Sequence, residues 1–393
     1  MCDQINFVDL DPQGFLENYW QKKPLLIKNG FAYLREVLEP EELAGLSCEQ
    51  GVESRLILEK GGVKPWEVRH GPFEEDDFTT LPQDSWTLLV QGVEQWIPEV
   101  YQLLESFRFV PNWRVDDVMV SYAPDGGSVG AHVDQYDVFL IQGFGQREWR
   151  IGKEPLKEEL IIPGLDVKIL QEFNDYEALH LDLGDVLYLP PGIAHHGIAK
   201  GRSMTYSVGF RAPHNKELAG HFADHVLLHG RREVMYRDPD LELQESSGEM
   251  NQASLDRLFR EVQATLGDRD LFNDFVGRYM TLPKYDHKPE PQDPTCLDDL
   301  RDDDVLEPFL GARMLYQKTH KLVLYINGEP FPVEMEALPV VKALCDSKQA
   351  FLWGELKSAA LRCNGLGLLQ DLVKEGWLLV ADPTEDDGSR KES

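Results

Sequence analysis

The feature that most constrains this chain is a pair of segments whose polar residues serve one purpose only if the fold brings them together. The stretch GAHVDQYDVF (130–139) sets His132 and Asp134 two apart, directly after a glycine turn. Residues i and i+2 of a strand share a face, so both side chains can reach one metal ion without backbone distortion. By itself an H-x-D triplet is equally an exposed strand edge. The second stretch, GDVLYLPPGIAHHG (184–197), is an apolar run closed by a Pro-Pro-Gly turn that delivers His195 or His196. If a sheet returns one of these to His132 and Asp134, two histidines and a carboxylate form the facial set of non-haem Fe(II) sites, with open coordination positions left over.

The surroundings suit such a sheet. Between residues 112 and 211, short apolar runs (DVMVSYA, DVFLIQG, REWRIG, DVLYLP, MTYSVGF) are separated by Gly and Pro, which predicts a β-sandwich or barrel. The spacing G-x5-P-x-G-x-x-H from Gly184 to His195 resembles the second conserved motif of the cupin superfamily. That resemblance selects His195, and strand alternation turns His196 to the opposite face.

A cation lies in the same region. DVFLIQGFGQREWRIG (137–152) predicts a strand, a Gly-Phe-Gly-Gln turn and a return strand carrying Arg147. Arg147, Trp149 and Ile151 share a face by alternation, and two bulky apolar members mark that face as interior. An interior arginine requires an anionic partner. A guanidinium grips a carboxylate with two parallel hydrogen bonds, so Arg147 either holds the distal carboxylate of a cosubstrate or closes an internal salt bridge.

Together, G-x-H-x-D-Q-Y-D-V-F-x-I-Q-G-x-G-x-R-x-W-R (130–150), the Pro-Pro-Gly-x-x-His strand and YSVGFR (206–211) resemble the Jumonji-C ribosomal oxygenases. Within that family they resemble the bacterial branch that hydroxylates an arginine of large-subunit ribosomal protein sixteen. The resemblance implies an α+β chain: a double-stranded β-helix (cupin/Jumonji-C) barrel, a helical dimerisation segment and a C-terminal winged-helix-like module. It implies that His132, Asp134 and His195 bind Fe(II), with O2 as oxidant. Arg147 would bind 2-oxoglutarate, aided by Ser121 and, more weakly, Ser207; for Ser121 a locally bonded strand hydroxyl is the plainer alternative. Tyr136, Asp125, Gln135 and Asp137 flank the metal pair and are the expected substrate contacts, Tyr136 first because it shares the ligand face. Two other readings stay open: a Jumonji-C hydroxylase or demethylase of another protein, and a non-catalytic, transcription-associated binding module.

Bulk properties bound these readings. With 393 residues, the chain exceeds one typical core. Four parts are expected: an oxygenase domain with N-terminal helical additions over 1–213, a helical segment over 214–285, an acidic Pro-rich linker over 286–304 and a small α+β module over 305–393. Within the first part, SWTLLVQGVEQWIPEVYQLLESF (85–107) reads as a helix. In the second, Ser254 is the expected cap of the helix ending at Gly267, and in the last Asn327-Gly328 predicts a hairpin. No apolar run approaches a membrane span, and MCDQINFVDLDPQG lacks the layout of a secretory signal. Five scattered cysteines without a C-x-x-C pair suit a reducing cytoplasm. The net charge of −30 disfavours nucleic acid and favours a basic partner such as a ribosomal protein, although it also serves solubility. In residues 301–380, Lys and Arg do not outnumber Asp and Glu, so the terminal module is not expected to bind DNA.

Overall fold

The computed structural model describes residues 5–7, 10–31, 37–61, 65–156, 160–165, 167–230, 233–285, 287–347 and 350–381. One antiparallel sheet dominates the first half. Its strands are β1 (Leu25–Ile27), β2 (Ser54–Glu59), β3 (Trp66–His70), β4 (Trp86–Val90), β5 (Val115–Ala123), β6 (His132–Val133), β7 (Val138–Gly152), β8 (Tyr176–Leu181), β9 (Val186–Leu189) and β10 (Ala194–Phe210). The hydrogen-bonded order is β1-β9-β7-β10-β5-β4-β2-β3, with β8 also on β7 and β6 also on β10.

Strand alternation divides this sheet into two chemical faces. On one face Leu56, Leu58, Leu88, Val90, Val118, Val120, Phe139, Ile141, Tyr188, Tyr206 and Val208 form the main core with Phe15, Phe107 and Phe210. The residues between them, Arg55, Leu89, Asp117, Met119, Ser121, Val138, Leu140, Thr205 and Ser207, line a cavity instead. Register carries the cavity face across the strands, from Arg55 to Leu89 to Ser121 to Thr205. Burying one core side chain such as Phe139 contributes roughly 1.5–3 kcal/mol, so the core face fixes which side chains face the cavity.

Two expectations within the sheet need correction. The 85–107 segment is not one helix: β4 occupies its start, Gly92 turns the chain at φ 63, and helix resumes at Pro98–Leu103, continuing as a 3-10 turn to Phe107. Trp86–Val90 is buried on both faces, so it lacks the alternation that reveals a strand and mimics helical periodicity. The Gly143–Gln146 turn is not a reversal either. β7 runs through it, paired with β10 on both sides and with a register shift there. Gly145 sits at φ 63 with Arg202 O only 1.9 Å from where a Cβ would be, so the glycines permit a bulge.

Four short helices accompany the N-terminal strands: α1 (Pro12–Asn18), α2 (Pro40–Leu46), α3 (Glu75–Thr79) and α4 (Pro98–Leu103). After the sheet come α5 (Asn215–His229), α6 (Gln252–Leu266) and α7 (Arg269–Thr281). Phe222 and Val226 of α5 pack on Phe275 of α7. The cap of α6 is Asn251, whose side chain accepts from Ser254 N, so Ser254 lies inside the first turn. α6 buries no residue and leaves Leu255, Leu258, Phe259, Val262 and Leu266 exposed along one stripe.

The terminal module holds α8 (Cys296–Asp299), β11 (Val305–Pro308), β12 (Met314–Lys318), β13 (Leu322–Ile326), β14 (Glu329–Val333), α9 (Leu338–Asp346), β15 (Phe351–Leu352), α10 (Trp353–Arg362), α11 (Leu366–Lys374) and β16 (Leu378–Val380). β13 and β14 form the expected hairpin, with Asn327 and Gly328 both at positive φ. The expected linker is not free. Asp286 lies outside the described residues, but His287 stacks on Trp96 at 4.5 Å and Leu297 is buried in the module's core. The module also docks on the sheet: Arg313 donates to the carbonyls of Val115 and Asp116, each at 2.6 Å.

Candidate metal and cosubstrate site

The cavity on the sheet's polar face has a volume of about 290 Å³ and is lined by His132, Asp134 and His195. One donor atom from each lies within 4.8 Å of the others. β6 and β10 pair with His132 directly opposite His195, and the two rings stand 4.2 Å apart. Asp134 follows β6, with its carboxylate 3.5 Å from His195 Nε2. Gly192, at φ 85, makes the turn that feeds His195 into β10, and its N–H donates to Asp134 O.

Both histidines are oriented by their own chain. His132 Nδ1 lies 3.0 Å from Gly130 O, and His195 Nδ1 lies 3.0 Å from Ile193 O. A carbonyl can only accept, so each Nδ1 carries the proton and each Nε2 presents a lone pair. Burial, then the neighbouring His132, pushes His195 down to about 4, so its ring is neutral near pH 7, as metal ligation requires. His196 faces away from this cavity; burial and then the charge of Arg150 lower it to about 4.

Arg147 lines the same cavity, 4% exposed. Its Nε and Nη2 are buried with no hydrogen-bond partner, and its nearest aromatic neighbour is Trp149, 5.8 Å from the guanidinium carbon to the ring centroid. Burial alone pulls it down to about 10, so it remains a cation near neutrality. The salt-bridge alternative therefore has no carboxylate behind it among the described residues. A buried guanidinium without an acceptor is costly, and a dicarboxylate in the cavity would relieve that cost. The donor set and the orphaned guanidinium thus fit a divalent iron and an acidic, chelating cosubstrate.

The remaining predicted residues separate. Ser121 and Ser207 line the cavity, and Ser121 Oγ has a long 3.4 Å bond to Thr205 O. Tyr136 stands at the mouth, and Gln135 lines an adjoining outer groove of about 380 Å³. Asp125 is not brought to the cavity: it accepts from Gly201 N at 2.7 Å, past the far end of β5, and holds a turn. Asp137 is fully buried on the core side, accepting from Tyr188 Oη at 2.6 Å, Gln21 Nε2 at 2.9 Å and Arg114 at 3.2 Å. It is a structural anchor with its lone pairs already engaged.

Besides Asp134, the carboxylates lining the cavity are Glu53, Asp116 and Asp117, with Lys284 between the two aspartates. Against the effect of burial, the charges of Lys284, Arg313 and Arg211 hold the Asp116 carboxyl below the usual range. Sequence alone offered a signal for Asp117: in DVMVSYA it alternates with Met119 and Ser121, so Ser121 in the cavity predicts Asp117 there too. Lys284 left no such trace.

A JmjC domain model matches residues 102–218, and a ROXA-like winged helix model matches residues 262–379. The ribosomal protein uL16 3-hydroxylase of Escherichia coli is 37% identical over 92% of this chain and 96% of its own length. A probable ribosomal oxygenase of Haemophilus influenzae is 33% identical over 94% of this chain and 96% of its own length. Among solved structures, E. coli YcfD matches with a TM-score of 0.85 at 34% identity, covering 97% of this chain and 100% of that one. The E. coli ribosomal oxygenase YcfD in complex with cobalt and 2-oxoglutarate matches with a TM-score of 0.82 at 34% identity, over 96% of this chain and 99% of that one. The expected order of a Jumonji-C barrel, helices and a winged-helix-like module is the order found.

Proposed function

The chain belongs to the JmjC ribosomal oxygenase family, and from that premise we propose that it is an Fe(II)- and 2-oxoglutarate-dependent oxygenase hydroxylating an arginine side chain of the large-subunit ribosomal protein uL16. The observation that carries the reading is Arg147: a buried cation with two unpartnered nitrogens, facing the same cavity as a His-Asp-His donor set. His132 Nε2, His195 Nε2 and the Asp134 carboxylate would hold the iron. Arg147 would take the distal carboxylate of 2-oxoglutarate, with Ser121 and Ser207 as neighbouring hydroxyls. Bound iron with its cosubstrate supplies the oxidative chemistry, in which O2 is consumed, 2-oxoglutarate loses CO2 and one oxygen atom enters a substrate C–H bond.

The chain's own residues bind and orient. Trp149, Val138 and Leu140 give the cavity dry walls. At the mouth, a Cβ on Gly209 would stand 3.6 Å from Asp117 Oδ1 and 3.8 Å from the Tyr136 ring. The bare glycine therefore leaves a slot flanked by a carboxylate oxygen and the Tyr136 ring, and the carboxylate suits a guanidinium. Gln135, in the outer groove, is left as a contact for the flanking polypeptide.

The test is incubation of the protein with Fe(II), 2-oxoglutarate, O2 and recombinant uL16, read by mass spectrometry. One oxygen atom gained on an arginine, with matching succinate, is expected. Unmodified uL16, or loss of a methyl group from a methylated peptide instead, overturns the reading.

The same reading sets the partners. The stripe Leu255, Leu258, Phe259, Val262 and Leu266 on α6, 40–62% exposed, supports a homodimer formed through the 214–285 segment. Phe259→Glu should then convert the dimer to a monomer in light scattering, and an unchanged mass would count against it. A ribosomal substrate implies the cytoplasm, and no described helix is long and apolar enough to cross a membrane. The excess of acidic residues argues against direct nucleic-acid binding. We retain the four-part division at 213, 285 and 304, with the third part as a packed strap.

A further inference from the structure

Two cavities meet at Lys284. The inner one carries the His-Asp-His donors, the outer groove runs past Phe210–His214 and Tyr279–Lys284, and Asp116, Tyr136 and Lys284 line both. Lys284 Nζ lies 3.1 Å from Asp117 Oδ2 and 3.3 Å from Asp116 Oδ2. The two carboxylates are unequally supplied with cations. Asp116 also accepts from Arg211 Nε at 2.9 Å and stands 3.8 Å from Arg313. For Asp117, Lys284 is the sole paired cation among the described residues. Its other donors are neutral: the Tyr285 hydroxyl at 2.7 Å, and Gln91 at 3.0 Å in the amide orientation that also accepts from Arg55.

All three of these donors converge on Oδ2, while Oδ1 faces the slot over Gly209. A guanidinium entering the slot meets Oδ1 at once. The two-point grip that makes guanidinium–carboxylate pairs strong needs Oδ2 as well. Of the groups on Oδ2, Lys284 alone repels the incoming charge, and it alone has a second carboxylate to retreat to. Its side chain is 40% exposed, so it stays solvated as it moves.

We propose that Lys284 is a specificity residue of this site: a resident cation that bridges Asp116 and Asp117 in the free enzyme and yields Asp117 to the guanidinium of the substrate, withdrawing to Asp116. This inference rests on the arginine reading given above. A lysine ammonium is a single-point donor and can settle on Oδ1 without moving Lys284, so it gains one contact where arginine gains two. A neutral side chain has no charge to offer Asp117 and leaves Lys284 on Oδ2.

The test is anaerobic binding of uL16 to the full-length enzyme loaded with Fe(II) and 2-oxoglutarate. In Lys284→Met the resident competitor is gone, and the Kd for uL16 should fall roughly fivefold to tenfold, the scale of one partly exposed ion pair. With uL16 whose target arginine is replaced by lysine, the same variant should change by no more than about twofold. Equal tightening for both, or weaker binding of the arginine form, overturns the assignment. A crystal structure of the wild-type complex tests it without the variant: the guanidinium is expected on both oxygens of Asp117 with Lys284 on Asp116, and Lys284 still on Asp117 overturns the exchange. If wild-type enzyme neither binds nor hydroxylates uL16, the arginine reading falls and takes the exchange with it. Hydroxylation with Lys284 unmoved overturns the exchange alone.

Discussion

The two ends of the cavity are built in opposite ways. At the metal end, each histidine is fixed by a carbonyl two residues earlier in its own chain, and the pieces come from two short segments. At the mouth, Asp117 is held by Gln91, Lys284 and Tyr285, drawn from the strand region before β5 and from the stretch after α7. The first is a local construction that tolerates no change of residue type. The second is a long-range construction in which several side chains share one job. Local sites should fail abruptly and distributed ones by degrees.

The largest effect should come from the local end. Replacing His132 or Asp134 by alanine is expected to bring succinate formation down to background, and retention of wild-type turnover in either would break the contrast. Next comes Arg147→Ala, for which the KM for 2-oxoglutarate should rise about 100-fold, the scale of a lost charge-assisted pair. A companion measurement sharpens it: without cosubstrate, Arg147→Met should melt no lower than wild type, because the guanidinium has nitrogens without acceptors to lose.

Asp137→Asn should cost about 3 kcal/mol in denaturant unfolding, since it strips the charge that Arg114, Tyr188 and Gln21 surround. A change within experimental error would return Asp137 to the list of substrate contacts. The smallest effect concerns Glu94, buried behind β5 and accepting from Val118 N. Burial, then the charge of Asp117, raises it from its ordinary 4.5 to about 7. The folded state therefore holds a proton that the unfolded state releases between those values, so this group's contribution to stability falls as pH rises from 4.5 to 7 and is level above. Glu94→Gln should flatten that decline, read as melting temperature against pH.

The same contrast explains what could be read from the residues alone. The metal triad, Arg147 and the Asn327-Gly328 hairpin were legible because each is a short-range pattern: i and i+2 on one face, a turn that delivers a histidine, a dipeptide that accepts positive φ. β4 was not, because Leu88 and Val90 pack into the core while Leu89 and Gln91 face the cavity, and burial on both sides erases alternation. Asp125 and Asp137 looked equivalent to any mouth carboxylate, since chain proximity to His132 says nothing about which way a bend turns them. Lys284 was invisible for the plainest reason. Its partners lie more than 160 residues earlier, and no local periodicity encodes that meeting.

Arg313 anchors the terminal module on the main-chain oxygens of Val115 and Asp116 at 2.6 Å, and the Asp116 carboxylate adds only a longer ion pair at 3.8 Å. A peptide oxygen is the same whatever residue carries it. Mutation can therefore redraw the rim next door, residue by residue, while the module keeps its seat. A lineage that drifts toward a different client polypeptide could retain this architecture intact.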